Sequence, residues 1–268
     1  MFIDALPHVA CYIFWIMRLV HTAFALVLWL SLPLAFSQTT SAQNQRAPAA
    51  DPTFHIKPLR PVQELEREAR AAQPPHESGS FRKAELVELV KLDPTIKLDI
   101  RYATSNNFLS TPMYSQARAF LQRPAAEALL RAQRALREKG YGLEIHDAYR
   151  PWYVTKMFWD ATPDDKKIFV ADPREGSKHN RGCAVDLTLY DLRTGATVKM
   201  PSGYDEMSER AYADYPGGTK DERTRRAILR QAMEKEGFTV YPQEWWHFDY
   251  KDWKQYPIMN IRFEEIGN

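Results

Sequence analysis

Ser177-Lys178-His179-Asn180-Arg181-Gly182-Cys183-Ala184-Val185-Asp186-Leu187-Thr188-Leu189-Tyr190 is the stretch on which the reading of this 268-residue chain turns. His179 and Asp186 are seven apart and would share a face on a helix. Gly182 and the β-branched, aromatic run after it oppose a helix, so a loop leading into a strand fits better. In such a strand Ala184, Asp186, Thr188 and Tyr190 share one face, while Cys183, Val185, Leu187 and Leu189 share the other. The apolar set is expected to face the core. Asp186 then stands on the opposite face, where the loop can bring His179 back beside it. Taken alone, the motif fits equally a surface histidine and a strand-end acid.

A second motif, Glu244-Trp245-Trp246-His247, changes that balance. Residues three apart in a regular strand point to opposite faces, so Glu244 and His247 meet only if the chain bends between them. Pro242, just before, suits an irregular strand start. His179, Asp186 and His247 then supply the three protein ligands of a catalytic zinc, one ion per chain. Glu244 is left free as the general base for a water molecule. The plainer alternative makes Trp245, Trp246 and Phe248 core aromatics and the polar pair incidental. Arg150, in Asp147-Ala148-Tyr149-Arg150-Pro151, carries a fixed charge suited to a developing oxyanion, or simply a salt bridge to Asp147. His146 has no partner motif and reads as structural. His55 and His76 read as solvated.

Around these motifs helices and strands alternate. Leu86–Leu92 and Ile96–Tyr102 read as strands about the Asp93-Pro94 turn. Pro124 opens a helix to Lys139 that Gly140 closes, with Ala125, Leu129, Ala132 and Leu136 on its apolar face. Leu143–Tyr149 reads as a strand and Trp152–Trp159 as a helix. Asp221 opens a second long helix ending at Gly237, followed by strands at Phe238–Tyr241 and Trp245–Tyr250. The pattern is α+β: a single domain at residues 81–268, with a small, mainly antiparallel sheet flanked by helices and the zinc site at one edge of the sheet.

Residues 38–80 have the Thr, Ser, Ala, Gln and Pro content of a linker, with one possible short charged helix at Val62–Ala72 stopped by Gln73-Pro74-Pro75. Before them Arg18 and His21 precede the apolar run Ala23–Phe36. Ala35 and Ser37 are the small residues a signal peptidase reads, so residues 1–37 are expected to be a signal peptide cleaved after Ser37. Met17 is a possible true start. A membrane anchor from Val9 onward is the alternative, at the cost of placing Arg18 in the span. Cleavage leaves no stable membrane span and only Cys183 of the two cysteines, so no internal disulfide can form, which fits a periplasmic location. The 36 basic and 34 acidic residues nearly cancel, which argues against a nucleic-acid partner. Nothing in the sequence reports the oligomeric state.

Together, Ser-x-His-x-x-Gly-x-Ala-x-Asp at 177–186 and Glu-Trp-Trp-His at 244–247 resemble the VanX-type D-alanyl-D-alanine dipeptidases. The similarity includes Asp99-Ile100-Arg101-Tyr102-Ala103-Thr104, Gly140–Leu143 and Asp147–Pro151, and spans roughly residues 88–263. The resemblance implies a zinc dipeptidase that cleaves D-Ala-D-Ala, with His179, Asp186 and His247 as ligands, Glu244 as base and Arg150 as the transition-state arginine. It also implies that Tyr102, Ser177 and Asp205 hold the ends of the dipeptide. The family's resistance enzymes act in the cytoplasm, whereas an export signal implies scavenging or turnover of wall peptides. The nearest alternative is a D,D-carboxypeptidase or wall endopeptidase on a related scaffold. A non-catalytic peptide-binding protein is the more distant one.

Overall fold

The computed structural model describes residues 53–267, so the apolar run Ala23–Phe36, Cys11 and the expected cleavage point lie outside the described residues. The elements follow in the order α1 (Val62–Ala71), β1 (Leu86–Glu88), α2 (Leu89–Leu92), β2 (Lys97–Leu98), β3 (Phe120–Gln122), α3 (Arg123–Arg137), β4 (Tyr141–Asp147), α4 (Trp152–Ala161), β5 (Ala184–Asp191), α5 (Lys220–Lys235), β6 (Phe238–Tyr241) and β7 (Glu244–Tyr250). Five strands form one sheet in the order β2-β4-β5-β7-β6, and β1 pairs with β3 in a separate ribbon. Only the β2–β4 pairing is parallel; the other three in the large sheet are antiparallel. This is the α+β architecture with a mainly antiparallel sheet. Among the described residues no helix is long and apolar enough to cross a membrane.

Cys183, Val185, Leu187 and Leu189 are fully buried. They join Leu129, Leu136, Leu229 and Met233 of α3 and α5 in one core. Asp186, Thr188 and Tyr190 on the other face are buried as well: the Tyr204 hydroxyl covers Asp186, donating to its Oδ2 at 2.9 Å, and Tyr190 donates to Thr95 O under the Lys97 amine. Both faces of β5 are therefore closed to water, although the sequence alternates as if one were open.

Two expected strands are shorter than read. Leu86–Leu92 is a strand only to Glu88 and then makes one helical turn, while Ile96–Tyr102 holds the two-residue β2 followed by a 3-10 turn at Arg101–Ala103. They do not pair with each other; β1 takes β3 and β2 takes β4. The long helix α5 begins at Thr219, whose hydroxyl accepts from the Glu222 N–H while the Glu222 carboxylate accepts from the Thr219 N–H, a reciprocal cap.

The expected linker is corrected from residue 53 onward. α1 packs on α4, with Leu65 and Ala69 completely buried and Arg70 lying 4.3 Å over the Tyr153 ring. The main chain before it is tied down too, by Ile56 N–H to Phe108 O and Leu59 N–H to Ala161 O. The short amphipathic helix found a partner face that lies ninety residues away in sequence, which local composition does not disclose. Leu65→Ala should lower unfolding free energy by at least about 2 kcal/mol, measured by urea denaturation; an unchanged midpoint would mean that α1 is not part of the cooperative unit.

Candidate metal centre and active site

The bend required between Glu244 and His247 is a β-bulge. Along the β6–β7 hairpin Val240 faces Phe248 and the next pair is Tyr241 with Glu244, so Trp245 to His247 are extra residues on β7. The bulge puts Glu244 Oε2 3.7 Å from His247 Nδ1. Asp186 faces His247 across β5 and β7. His179 arrives from a 3-10 turn, His179–Arg181, that ends at Gly182 with φ +65°. A Cβ on Gly182 would come within 2.6 Å of Leu86 Cδ2, so both the left-handed backbone and the close approach call for glycine.

Metal-ligating atoms of His179, Asp186 and His247 consequently lie within 4.8 Å of one another, all three side chains being buried. His179 Nε2 is 3.1 Å from His247 Nδ1, and Asp186 Oδ1 is 3.3 Å from the first and 3.0 Å from the second. The outer nitrogens are already engaged: His179 Nδ1 with Ala148 O at 2.6 Å and His247 Nε2 with Asp249 Oδ1 at 2.8 Å. These partners place a proton on each outer nitrogen, so in the neutral rings both inner nitrogens present lone pairs to each other and to Asp186. Asp186 Oδ1 has no hydrogen-bond donor. Three acceptors converging on one buried point fit a cation, and two imidazoles with one carboxylate are a zinc donor set. The ligands stand on inner strands and an adjoining turn, so the expected position at the sheet's edge becomes one on the face of β5 and β7.

The electrostatics agree. Burial alone would raise Asp186, but His179 and His247 beside it hold its carboxyl well below the usual carboxylate range. Burial alone would lower His247, yet Asp249 and Asp186 raise it to about 10. A cation held by the inner nitrogens and Asp186 would take the place of the ring's second proton. Glu244 is pushed up to about 8 by burial, pulled back by His247 and raised again by Asp186.

Arg150 makes the salt bridge to Asp147 and also lies beside the candidate metal ligands. Its Nε and Nη2 bind Asp147 Oδ2, each at 2.8 Å, and Nη2 lies 3.7 Å from Asp186 Oδ2. The guanidinium also packs 4.8 Å over the Phe158 ring. Asp147, buried, accepts further bonds from the Tyr114 hydroxyl and the Ala148 N–H.

Tyr102, Ser177 and Asp205 join the same cavity, of about 420 Å³, which His179, Asp186, His247, Glu244 and Arg150 also line. Tyr102 Oη is 3.0 Å from both carboxyl oxygens of Asp205 and 3.0 Å from Tyr204 Oη. Burial, with Asp186 and Glu244 nearby, pushes Asp205 well above the carboxylate range. The Tyr102 hydroxyl donates to Asp205 and adjoins the Tyr204 hydroxyl, which donates to Asp186. Asp205 also sits at φ +60°, a backbone state that asparagine and aspartate tolerate better than most. Ser177 is buried in the turn, where its Oγ accepts from the His179 N–H at 3.2 Å.

Several supporting residues escaped the sequence reading. Asn180 is fully buried; its amide donates to Arg150 O and Thr155 Oγ1, and its carbonyl accepts from Ser177 N–H. It thereby staples the His179 turn to Arg150. Glu77, from the expected linker, binds Arg181 of that turn at 2.6 Å and accepts from Ile258 N–H. Asp249, which orients His247, had a readable signal, since residues two apart on a strand share a face.

The family model for peptidase M15, described as D-Ala-D-Ala dipeptidase, matches residues 82–265. A D-alanyl-D-alanine dipeptidase of Escherichia coli K12 is 36% identical over 179 residues, covering 67% of this chain and 91% of that protein. One from Enterococcus faecium is also 36% identical, over 60% of this chain and 89% of its own. A third, from Streptomyces coelicolor, is 34% identical over 59% and 87%. With the match spanning β1 to the C-terminal turn and every element of the site, this chain belongs to the M15 family of metallopeptidases.

Proposed function

We propose that this chain is an exported zinc dipeptidase that hydrolyses D-alanyl-D-alanine to two D-alanines in turnover or scavenging of cell-wall peptides. The observation that carries the reading is the convergence of two imidazole lone pairs and Asp186 Oδ1 beside Glu244, with Arg150 on the other side of Asp186. Zinc held by His179, Asp186 and His247 supplies Lewis acidity for a carbonyl and acidifies water. Glu244 is placed to accept the proton of the attacking water, and then to deliver it to the departing amine. Arg150 offers a fixed, desolvated charge to the oxyanion, held in aim by Asp147. Asp205 suits the substrate's ammonium; Tyr102 and Ser177 complete the wall that holds the dipeptide's ends.

Export rests on the apolar run Ala23–Phe36 followed by small residues. It supports a periplasmic site of action, where D-Ala-D-Ala released from wall peptides would be met.

Restriction to a dipeptide requires that a blocked terminus leave a buried charge unpaired. Hydrolysis of D-Ala-D-Ala and of its N-acetyl form should therefore differ by at least about 100-fold in kcat/KM, the cost of one unpaired buried polar group being some 1–3 kcal/mol or more for a charge. Comparable cleavage of the acetylated peptide would replace this reading with that of a carboxypeptidase or endopeptidase.

A further inference from the structure

Among the described residues two groups of three side chains bring metal-ligating atoms within 4.8 Å of one another, and the second is Asp99, Glu144 and His146. Among the same residues two buried side-chain atoms lack any hydrogen-bond partner, Asp186 Oδ1 and Thr188 Oγ1. The first belongs to the centre already described. Thr188 is 2% exposed and pairs with Glu144 across β4 and β5, so its side chain rises from the same face of the sheet as that of Glu144. The second unsatisfied atom thus stands on the residue that faces Glu144 across the strand pair.

The charges around the second group do not balance. Glu144 is buried, and Thr197 Oγ1 reaches both of its oxygens at 2.9 Å. Among the described residues no lysine, arginine or histidine lies within ion-pair distance of it. Lys97, whose backbone pairs with Glu144, sends its amine instead to Gly195 O and the Tyr190 ring. Asp99 has Arg101 at 2.5 Å on Oδ2, with His146 Nδ1 3.5 Å from the same oxygen. One carboxylate is compensated and the other, the more deeply buried, is not. An uncompensated buried charge is costly, and a bound cation removes the cost.

We propose that Asp99, Glu144 and His146, with the Thr188 side chain on the same face as Glu144, form a second cation site that takes a divalent transition ion, zinc in the first instance. Two carboxylates and one imidazole suit that class. The role is structural. β2 is held to the sheet by only two register pairs; an ion shared by Asp99, just past β2, and by Glu144 and His146 of β4 fastens that edge. It also steadies the His146 ring, which stacks at 4.6 Å on Tyr204, the residue that donates to Asp186. None of the three ligating residues lines the catalytic cavity.

Equilibrium dialysis of the chelator-stripped full chain against zinc, read as ions per chain, tests the site independently of any assay of turnover. Wild type is expected to hold two ions. Glu144→Gln should hold one, melt lower than wild type in zinc, and still hydrolyse D-Ala-D-Ala; His247→Ala should also hold one, without turnover. Should Glu144→Gln not fold, His146→Phe, which keeps an aromatic ring against Tyr204, is expected to hold one ion. A single ion on wild type, or two on the Glu144 or His146 variant, would overturn the proposal.

Discussion

Replacing Glu244 with glutamine is expected to lower kcat for D-Ala-D-Ala by roughly 100- to 10,000-fold while leaving zinc bound. Glutamine keeps the shape of the side chain but cannot take a proton from water, so the change removes one function and little else. The geometry makes the two readouts separable. Glu244 Oε2 stands 3.7 Å from His247 Nδ1, beside the three converging ligands and outside their set, held there by the β7 bulge. Burial raises its pKa to about 8 where no cation is present; a divalent ion a few ångströms away favours the ionised form and restores the base. Steady-state kinetics and metal analysis on the same sample decide the matter. Loss of zinc together with turnover would make Glu244 a ligand, and an unchanged kcat would assign the base elsewhere.

Arg150→Ala is expected to act on both stability and rate. Its guanidinium is the compensating charge for Asp147, which is itself buried and raised by that burial despite Arg150 and His179. Removing one partner of such a pair typically costs about 3–5 kcal/mol, so the melting temperature should fall by many degrees. Loss of an oxyanion-stabilising charge adds a decrease of roughly 100- to 1,000-fold in kcat. Arg150→Lys separates the two effects. Lysine restores the charge but not the planar fork that holds Asp147 through both Nε and Nη2, so stability should recover further than kcat. Full activity in the lysine variant, or in a folded alanine variant, would reduce Arg150 to a structural ion pair.

The parts of the fold that sequence reading reached are those with local periodicity. The alternation from Cys183 to Tyr190 marked β5, and the spacing of Ala125, Leu129, Ala132 and Leu136 marked α3. The need for a bend at Glu244–His247 followed from strand geometry alone, and the bulge meets it. What stayed hidden depends on contacts between distant segments. The possible short helix at Val62–Ala72 is present as α1, but its docking on α4, and so its place in the core, was not legible in the linker-like composition around it. Leu86–Leu92 looked like one strand because propensity cannot tell three paired residues from seven. Asn180 and Glu77 are ordinary polar residues in sequence, and only the folded turn shows that one staples His179 to Arg150 and the other anchors Arg181. His146 lacked a motif partner because Asp99 comes from a distant segment, just past β2.

The most direct test of the central claim is release of D-alanine from D-Ala-D-Ala by the chelator-stripped enzyme as zinc is added back. No turnover is expected before addition, and recovery of activity is expected in wild type but not in His179→Ala, Asp186→Ala or His247→Ala. Activity that persists without metal, or zinc-restored activity in the ligand variants equal to wild type, would contradict a zinc centre built on these three residues.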